Sequence, residues 1–146
     1  MRVFADTNIL FDVFLERGEF YDNSAQIWSL AERKIAEVFI SAISFNNVFY
    51  TMRKIADAEN AQRAVEAMNA NFVTIPLTQD IITKAIVTKL PDFEDALQLF
   101  SAVIAECDVI VTRNIKHFPQ DGISIMSPAT FLAKHFTNYR QSSKLT

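Results

Sequence analysis

The sequence predicts an α/β protein built on a parallel sheet of about five strands with helices packed on both faces, a three-layer sandwich. Two patterns and one compositional fact carry this. Short apolar runs alternate with longer segments of about 10–15 residues whose apolar positions recur at helical spacing. The runs "VFA", "EVFIS", "NFVTI" and "DVIVT" are nearly continuous rather than alternating, as strands covered on both faces are. Only 2 Gly and 4 Pro punctuate 146 residues, which favours helices joined by short connections.

The elements follow in order. "VFA" at 3–5 is too short for a helix and reads as the first strand; Ile9 then opens a helix for which Thr7 and Asn8 are capping groups. Residues 23–33 place Ile27, Leu30 and Ala31 at helical spacing beside Trp28, with Asp22 or Asn23 as cap. "EVFIS" at 37–41 is the second strand. The next segment puts Phe45, Val48, Phe49, Met52 and Ile55 on one helical stripe behind Ser44 as N-cap. Residues 60–70 are helical, "NFVTI" at 71–75 is the third strand, and Thr78 caps a helix over "QDIITKAIVTKL". A helix starting near Asp92 precedes the fourth strand, "DVIVT" at 108–112; "ISIM" at 123–126 is the fifth, before a helix with Ser127 as cap and Pro128 at its first position. One domain over residues 1–136 and a polar, fraying tail at 137–146 account for the chain.

No apolar run approaches the roughly 20 residues that span a bilayer, and the N-terminus lacks the pattern of a secretory signal, so a soluble, cytoplasmic protein is expected. The single cysteine, Cys107, lies in an apolar stretch and reads as a packed thiol. The net charge of −3 and pI near 5.3 exclude the broad basic footprint that binds nucleic acid by counterion release alone. A polyanion partner therefore needs another source of positive charge. A divalent ion held by carboxylates is one.

Ligands of open parallel sheets bind outside the carboxyl ends of the strands. Asp6 ends the first strand, 41–47 follow the second, and Thr112, Arg113 and Asn114 follow the fourth. The helix from Asp92 sets Phe93, Ala96, Leu97, Phe100 and Ile104 on one stripe and Asp95, Leu99, Ala102 and Val103 on the next. Asp95 thus stands at the mouth of an inward face, Asp92 nearly below it, and Glu94 toward solvent. Helix-start chemistry alone accounts for acids in a first turn, each gaining roughly 0.3–1 kcal/mol from the helix dipole. It does not account for Asp6, since a carboxylate ending a doubly buried strand requires a partner or a metal. An oxygen-only set without a His or Cys cluster points to Mg²⁺ or Mn²⁺, which also take substrate phosphates as ligands.

With these residues placed, the chain resembles the PIN domain nucleases, which include the toxins of many bacterial toxin–antitoxin pairs. The likeness runs through "RVFADTNIL", "SAISFNNVFYTMRK", "DFEDALQLFSA", "DVIVTRNIKHF" and "SPATFL" in that order. It implies a five-stranded parallel α/β/α sandwich, acids binding Mg²⁺ or Mn²⁺, hydrolysis of RNA phosphodiester bonds, a homodimer and a cognate antitoxin partner. It also implies roles: Asp6 and Asp95 as catalytic metal ligands, Asp92 as an accessory one, Asn8 orienting Asp6, and Thr112 as the hydroxyl after the fourth strand. Arg113, Lys116 and His117 are then candidate contacts to substrate phosphate. Asn47 stands where the family commonly carries Glu, and Asn114 or His117 where it commonly carries Asp, so the site has fewer charges and one tightly bound ion is expected, with a second recruited only alongside substrate phosphate. The same neutral residues suit an alternative, a catalytically weakened module that binds RNA or protein. A haloacid-dehalogenase-like phosphatase would need a second acid where Asn8 stands, and P-loop chemistry would need a glycine-rich loop.

Overall fold

The computed structural model describes residues 1–137. Five parallel strands, β1 (Arg2–Ala5), β2 (Glu37–Ser41), β3 (Val73–Ile75), β4 (Val109–Val111) and β5 (Ser124–Met126), form one sheet in the order β3-β2-β1-β4-β5. The chain builds outward from β1 to β2 and β3 and then crosses back to place β4 on the other side of β1. The gap between the carboxyl ends of β1 and β4 is the topological switch point where parallel sheets accept ligands.

Strand side chains alternate between two cores, as a period of two requires. Val3, Ala5, Val38, Ile40, Val109 and Val111 pack with α1 (Thr7–Phe14), α2 (Tyr21–Glu32), α3 (Ala42–Ile55), α4 (Ala58–Asn71) and α7 (Pro128–His135). Phe4, Phe39 and Ile110 face the opposite side, against α5 (Gln79–Thr88) and α6 (Phe93–Ile104). The predicted parallel sheet with both faces covered is therefore the observed architecture. Cys107 is buried against the second core, and burial pushes its thiol up to about 11, as a packed thiol requires. No helix among the described residues is long and apolar enough to cross a membrane. Apart from Thr137, the predicted polar tail at 137–146 lies outside the described residues.

Thr78, Ser127 and Asp92 cap α5, α7 and α6, and Asp57 caps α4. Three starts differ from expectation. Helix α1 begins two residues early because Asp6 itself is the N-cap, accepting from the Asn8 amide. Helix α3 is capped by Ser41, whose hydroxyl accepts from the Ile43 amide, while Ser44 is buried one turn in. Helix α2 continues from a 3₁₀ turn at Gly18–Phe20 without a side-chain cap, so neither Asp22 nor Asn23 starts it. Ile55, expected on the buried stripe of α3, is exposed at its last turn.

Candidate functional site

Asp6 stands at the switch point, 4% exposed, with its backbone amide still tied to the Val111 carbonyl of β4. Its carboxylate meets only neutral donors. Thr112 Oγ1 donates to Oδ2 at 2.7 Å and Gln98 Nε2 to Oδ1 at 3.0 Å; the Asn8 side-chain amide approaches Oδ2 at 3.4 Å. Burial raises the proton affinity of Asp6, and these donors pull it back. The Asn8 side-chain oxygen is buried with no hydrogen-bond partner among the described residues.

Helix α6 delivers the second layer. Asp92 closes its N-terminus by accepting from the Asp95 amide at 3.1 Å. Asp95 is buried, and its carboxyl is pushed up to about 6 by burial first and then by the charges of Asp6 and Asp92; His117 opposes this, its Nδ1 lying 3.2 Å from Asp95 Oδ2. His117 and Lys116 come from a 3₁₀ turn after β4 and line, with Asp92 and Asp95, a cleft of about 360 Å³. Asn114 is exposed, and its amide donates to Thr112 Oγ1, holding the hydroxyl that serves Asp6. The carboxyl ends of β1 and β4 and the start of α6 therefore bring Asp6, Asn8, Asp95, Asp92, Thr112 and His117 together.

Three residues stand elsewhere than expected. Glu94 does not face solvent: it is half-buried, with the side chains of Thr7 and Asn47 beside its carboxylate. Burial raises its proton affinity, and the charges of Asp6 and Asp92 add to that. Phe93, placed by spacing on the inward stripe, is 50% exposed instead. The face that α6 buries includes the polar Gln98 and Ser101: Gln98 accepts from the Thr7 amide of α1, and the Ser101 hydroxyl donates to the Leu97 carbonyl of its own helix. Arg113 does not reach into the cleft beside Asp95. Its guanidinium lies 2.9 Å from Asp12 Oδ2 in an ion pair and 4.1 Å above the Phe20 ring. Asp12 is wholly buried and also accepts from the Ser24 hydroxyl at 2.8 Å.

Sequence reasoning missed Gln98 and Asp12. Gln98 is 1% exposed and bridges Asp6 to Thr7, whose amide it accepts at 3.0 Å. Both carried a signal: Gln98 falls four residues after Glu94, and Asp12 four after Asn8, each a polar group inside an apolar helix pattern.

A profile of the PIN domain matches residues 2–116. The chain belongs to the PIN domain family. Its fold is similar to solved structures of toxin–antitoxin proteins. The DNA-bound VapBC of Salmonella typhimurium shares 18% identity, with 88% of this chain and 98% of that chain covered and a TM-score of 0.68. A toxin–antitoxin complex of Klebsiella pneumoniae shares 24% identity over 86% and 97% of the two chains at a TM-score of 0.65. A sarcin–ricin loop cleaving VapC toxin of Mycobacterium tuberculosis shares 12% identity over 74% and 86%, at 0.61. No curated protein sequence matches the chain.

The donor set of this PIN domain fits a hard divalent cation. It is all oxygen, it includes a desolvated carboxylate served only by neutral donors, and the Asn8 amide oxygen beside it is unpartnered. Among the described residues no three Asp, Glu, His or Cys side chains stand as a ready metal cage. An ion that keeps several waters and binds through one or two carboxylates does not need one.

Proposed function

We propose that this PIN domain is a Mg²⁺- or Mn²⁺-dependent endoribonuclease, the toxin of a toxin–antitoxin pair, acting in the cytoplasm as a homodimer. The observation that carries the reading is Asp6: a carboxylate buried at the switch point, with no cationic partner among the described residues, whose charge adds to the burial that pushes Asp95 up to about 6. Such a pair is costly unless a cation comes between its members. The likeness to VapBC proteins supports the toxin assignment and a cognate antitoxin. The neighbour that cleaves the sarcin–ricin loop supports RNA as substrate.

Asp6, Asp95 and Asp92 would hold the ion, with Thr112, Gln98 and Asn8 fixing the Asp6 carboxylate in one orientation. When bound, the ion supplies Lewis acidity to the phosphate and a water acidic enough to attack it in line. Asp95 Oδ2 would orient a water at the phosphate, and the exposed ring of His117, 3.2 Å from that oxygen, would be placed to take up a proton from it. Lys116, at the rim of the same cleft, meets the phosphate charge. Arg113 does not, because Asp12 already neutralises it.

The test is cleavage of a mixed single-stranded RNA pool with Mn²⁺, beside Asp6→Asn and Asp95→Asn. Cleavage that needs the metal and disappears in both variants is expected. The neutral side chains of Asn47 and Asn114 favour the second reading, a binding module. Folded wild-type protein that retains RNA yet leaves it intact with every divalent metal would establish that module and refute the nuclease.

A further inference from the structure

We infer that the cleft between α1, α3 and the first turn of α6 is a subsite for one unstacked guanine of single-stranded RNA, seated on the Tyr50 ring with its Watson–Crick edge toward Glu94. The inference deepens the reading above and rests on RNA being the ligand.

The cleft measures about 330 Å³ and is lined by Phe11, Asn46, Asn47, Tyr50, Thr51 and Glu94, none of them cationic. Helical spacing sets Asn46 and Asn47 one turn before Tyr50 and Thr51, so these four share one face of α3, beside its buried stripe of Ser44, Val48 and Met52. Tyr50 leaves its ring 63% exposed there, braced edge-on by Phe49 with 6.0 Å between centroids. An open aromatic ring is the surface on which an unpaired base stacks. Glu94 is half-buried among these groups, and its carboxylate only accepts hydrogen bonds. Guanine alone among the common bases presents two adjacent N–H groups, N1 and N2, to a single carboxylate, and its O6 accepts from an asparagine amide. Adenine and cytosine each set one amino group beside an acceptor nitrogen, and uracil sets one N–H between two carbonyl oxygens.

Three elements place this cleft beside the acid site. On α6, Glu94 is followed directly by Asp95, which lines the neighbouring cleft with Lys116 and His117; consecutive Cα atoms are about 3.8 Å apart. On α1, Phe11 lies one turn after Asn8, whose side-chain amide approaches Asp6. On α3, Asn47 lies one turn after Ser44, whose hydroxyl meets Thr7 Oγ1 at 2.7 Å. The two clefts thus flank the first turn of α6, and a strand with its phosphate at Asp95 can extend the adjoining base onto Tyr50. Arg17 stands 5.5 Å from the Phe11 ring and enters no ion pair among the described residues, so its charge is available to a backbone phosphate leaving the cleft.

The test is binding of short oligouridines to the full chain, unsubstituted or with one central guanosine, inosine, adenosine or cytidine. Fluorescence anisotropy at low salt reads it in EDTA and again with Mn²⁺, and cleavage is scored separately on gels. Wild type is expected to bind the guanosine probe roughly 5- to 100-fold more tightly than oligouridine, and to lose most of that gain with inosine, which lacks the N2 amino group. Glu94→Gln should bind guanosine and inosine probes alike, a base-specific change that a merely structural contact would not produce. Tyr50→Ala, at an exposed position, should melt near wild type yet bind every probe roughly 5- to 100-fold more weakly. Equal affinity of wild type for all five probes, a preference for another base, or a guanosine preference undiminished in both variants overturns the inference. Guanosine preference without cleavage in any divalent metal refutes the nuclease and leaves the subsite standing. Cleavage without base preference overturns the inference alone, and wild type that binds none of the RNAs overturns both.

Discussion

Asp95→Asn should make the metal-free protein more stable, an unusual result for a substitution at a buried, hydrogen-bonded position. In the fold the carboxyl is held at about 6 by burial and by Asp6 and Asp92, against an ordinary value of 3.8. At about 1.36 kcal/mol per tenfold change in proton affinity, that difference corresponds to roughly 3 kcal/mol lost on ionisation. Losing the contact to the exposed His117 ring returns part of it, leaving a net gain of about 1–3 kcal/mol at neutral pH. For a chain of this length each kcal/mol moves the melting temperature by about 2–4 °C, so the variant should melt roughly 2–12 °C higher. The pH dependence has a definite sign. A carboxyl whose folded value is raised adds stability that is full below about pH 4 and is lost as pH rises through about 6. The advantage of Asp95→Asn is therefore absent at pH 4, grows to pH 6 and is level above it. Thermal unfolding followed by circular dichroism in EDTA from pH 4 to 7.5 measures it. Saturating Mn²⁺ should reverse the order, since ligand at 100 times its Kd adds about 2.7 kcal/mol to the wild type only. A variant less stable than wild type in EDTA at pH 7, or a gain equally large at pH 4, would falsify the claim that burial and the charges of Asp6 and Asp92 penalise the ionised Asp95.

Arg113→Met should destabilise the fold by about 3–5 kcal/mol, because it leaves the wholly buried Asp12 without its cation; Lys116→Ala, at an exposed position, should stay within about 0.5 kcal/mol. Urea unfolding of both variants decides the matter, and equal effects would show that the Asp12–Arg113 pair contributes little. Thr112→Val removes the 2.7 Å donor to Asp6 while keeping the side-chain shape, and should weaken Mn²⁺ binding roughly 10- to 100-fold as loss of an outer partner does. Unchanged affinity by calorimetry would mean that Gln98 and Asn8 alone orient the carboxylate.

The parts of this structure legible in the sequence are those decided locally. The strand "EVFIS" was readable to the residue because a short apolar run bounded by charged and capping residues has few other uses. Thr78 and Ser127 were readable as caps because a cap and the amide it accepts from lie within one turn. What was not legible depends on a second element. The start of α2 has no capping side chain to announce it, and its boundary comes from the 3₁₀ turn that packs before it. Glu94 could not be assigned a direction from α6 alone. At the first turn of a helix the spacing permits either Phe93 or Glu94 to face inward, and Thr7 and Asn47, from two other helices, decide for Glu94. Arg113 read as a free cation because its partner Asp12 lies 101 residues earlier, hidden in an apolar helix, and only the pairing of β1 with β4 brings the two together.

Asp6 shows how a local reading and a distant one can both be true of a side chain without carrying equal weight. It caps α1, and capping is reason enough for an aspartate at that junction. Yet the cap bond from the Asn8 amide is 3.4 Å long, whereas Asp57 and Asp92 accept theirs at 2.7 and 3.1 Å. The short bonds of Asp6 go to Thr112 and Gln98, residues 106 and 92 positions away. A carboxylate chosen to stabilise a helix start would be turned toward the helix and left wet, gaining roughly a kcal/mol. This one is turned across the sheet into a buried site lined by neutral donors and facing other acids. That orientation lowers the value of Asp6 as a cap and raises it as a ligand, so removing its charge should cost the metal-free fold little and the metal-bound state most of its binding.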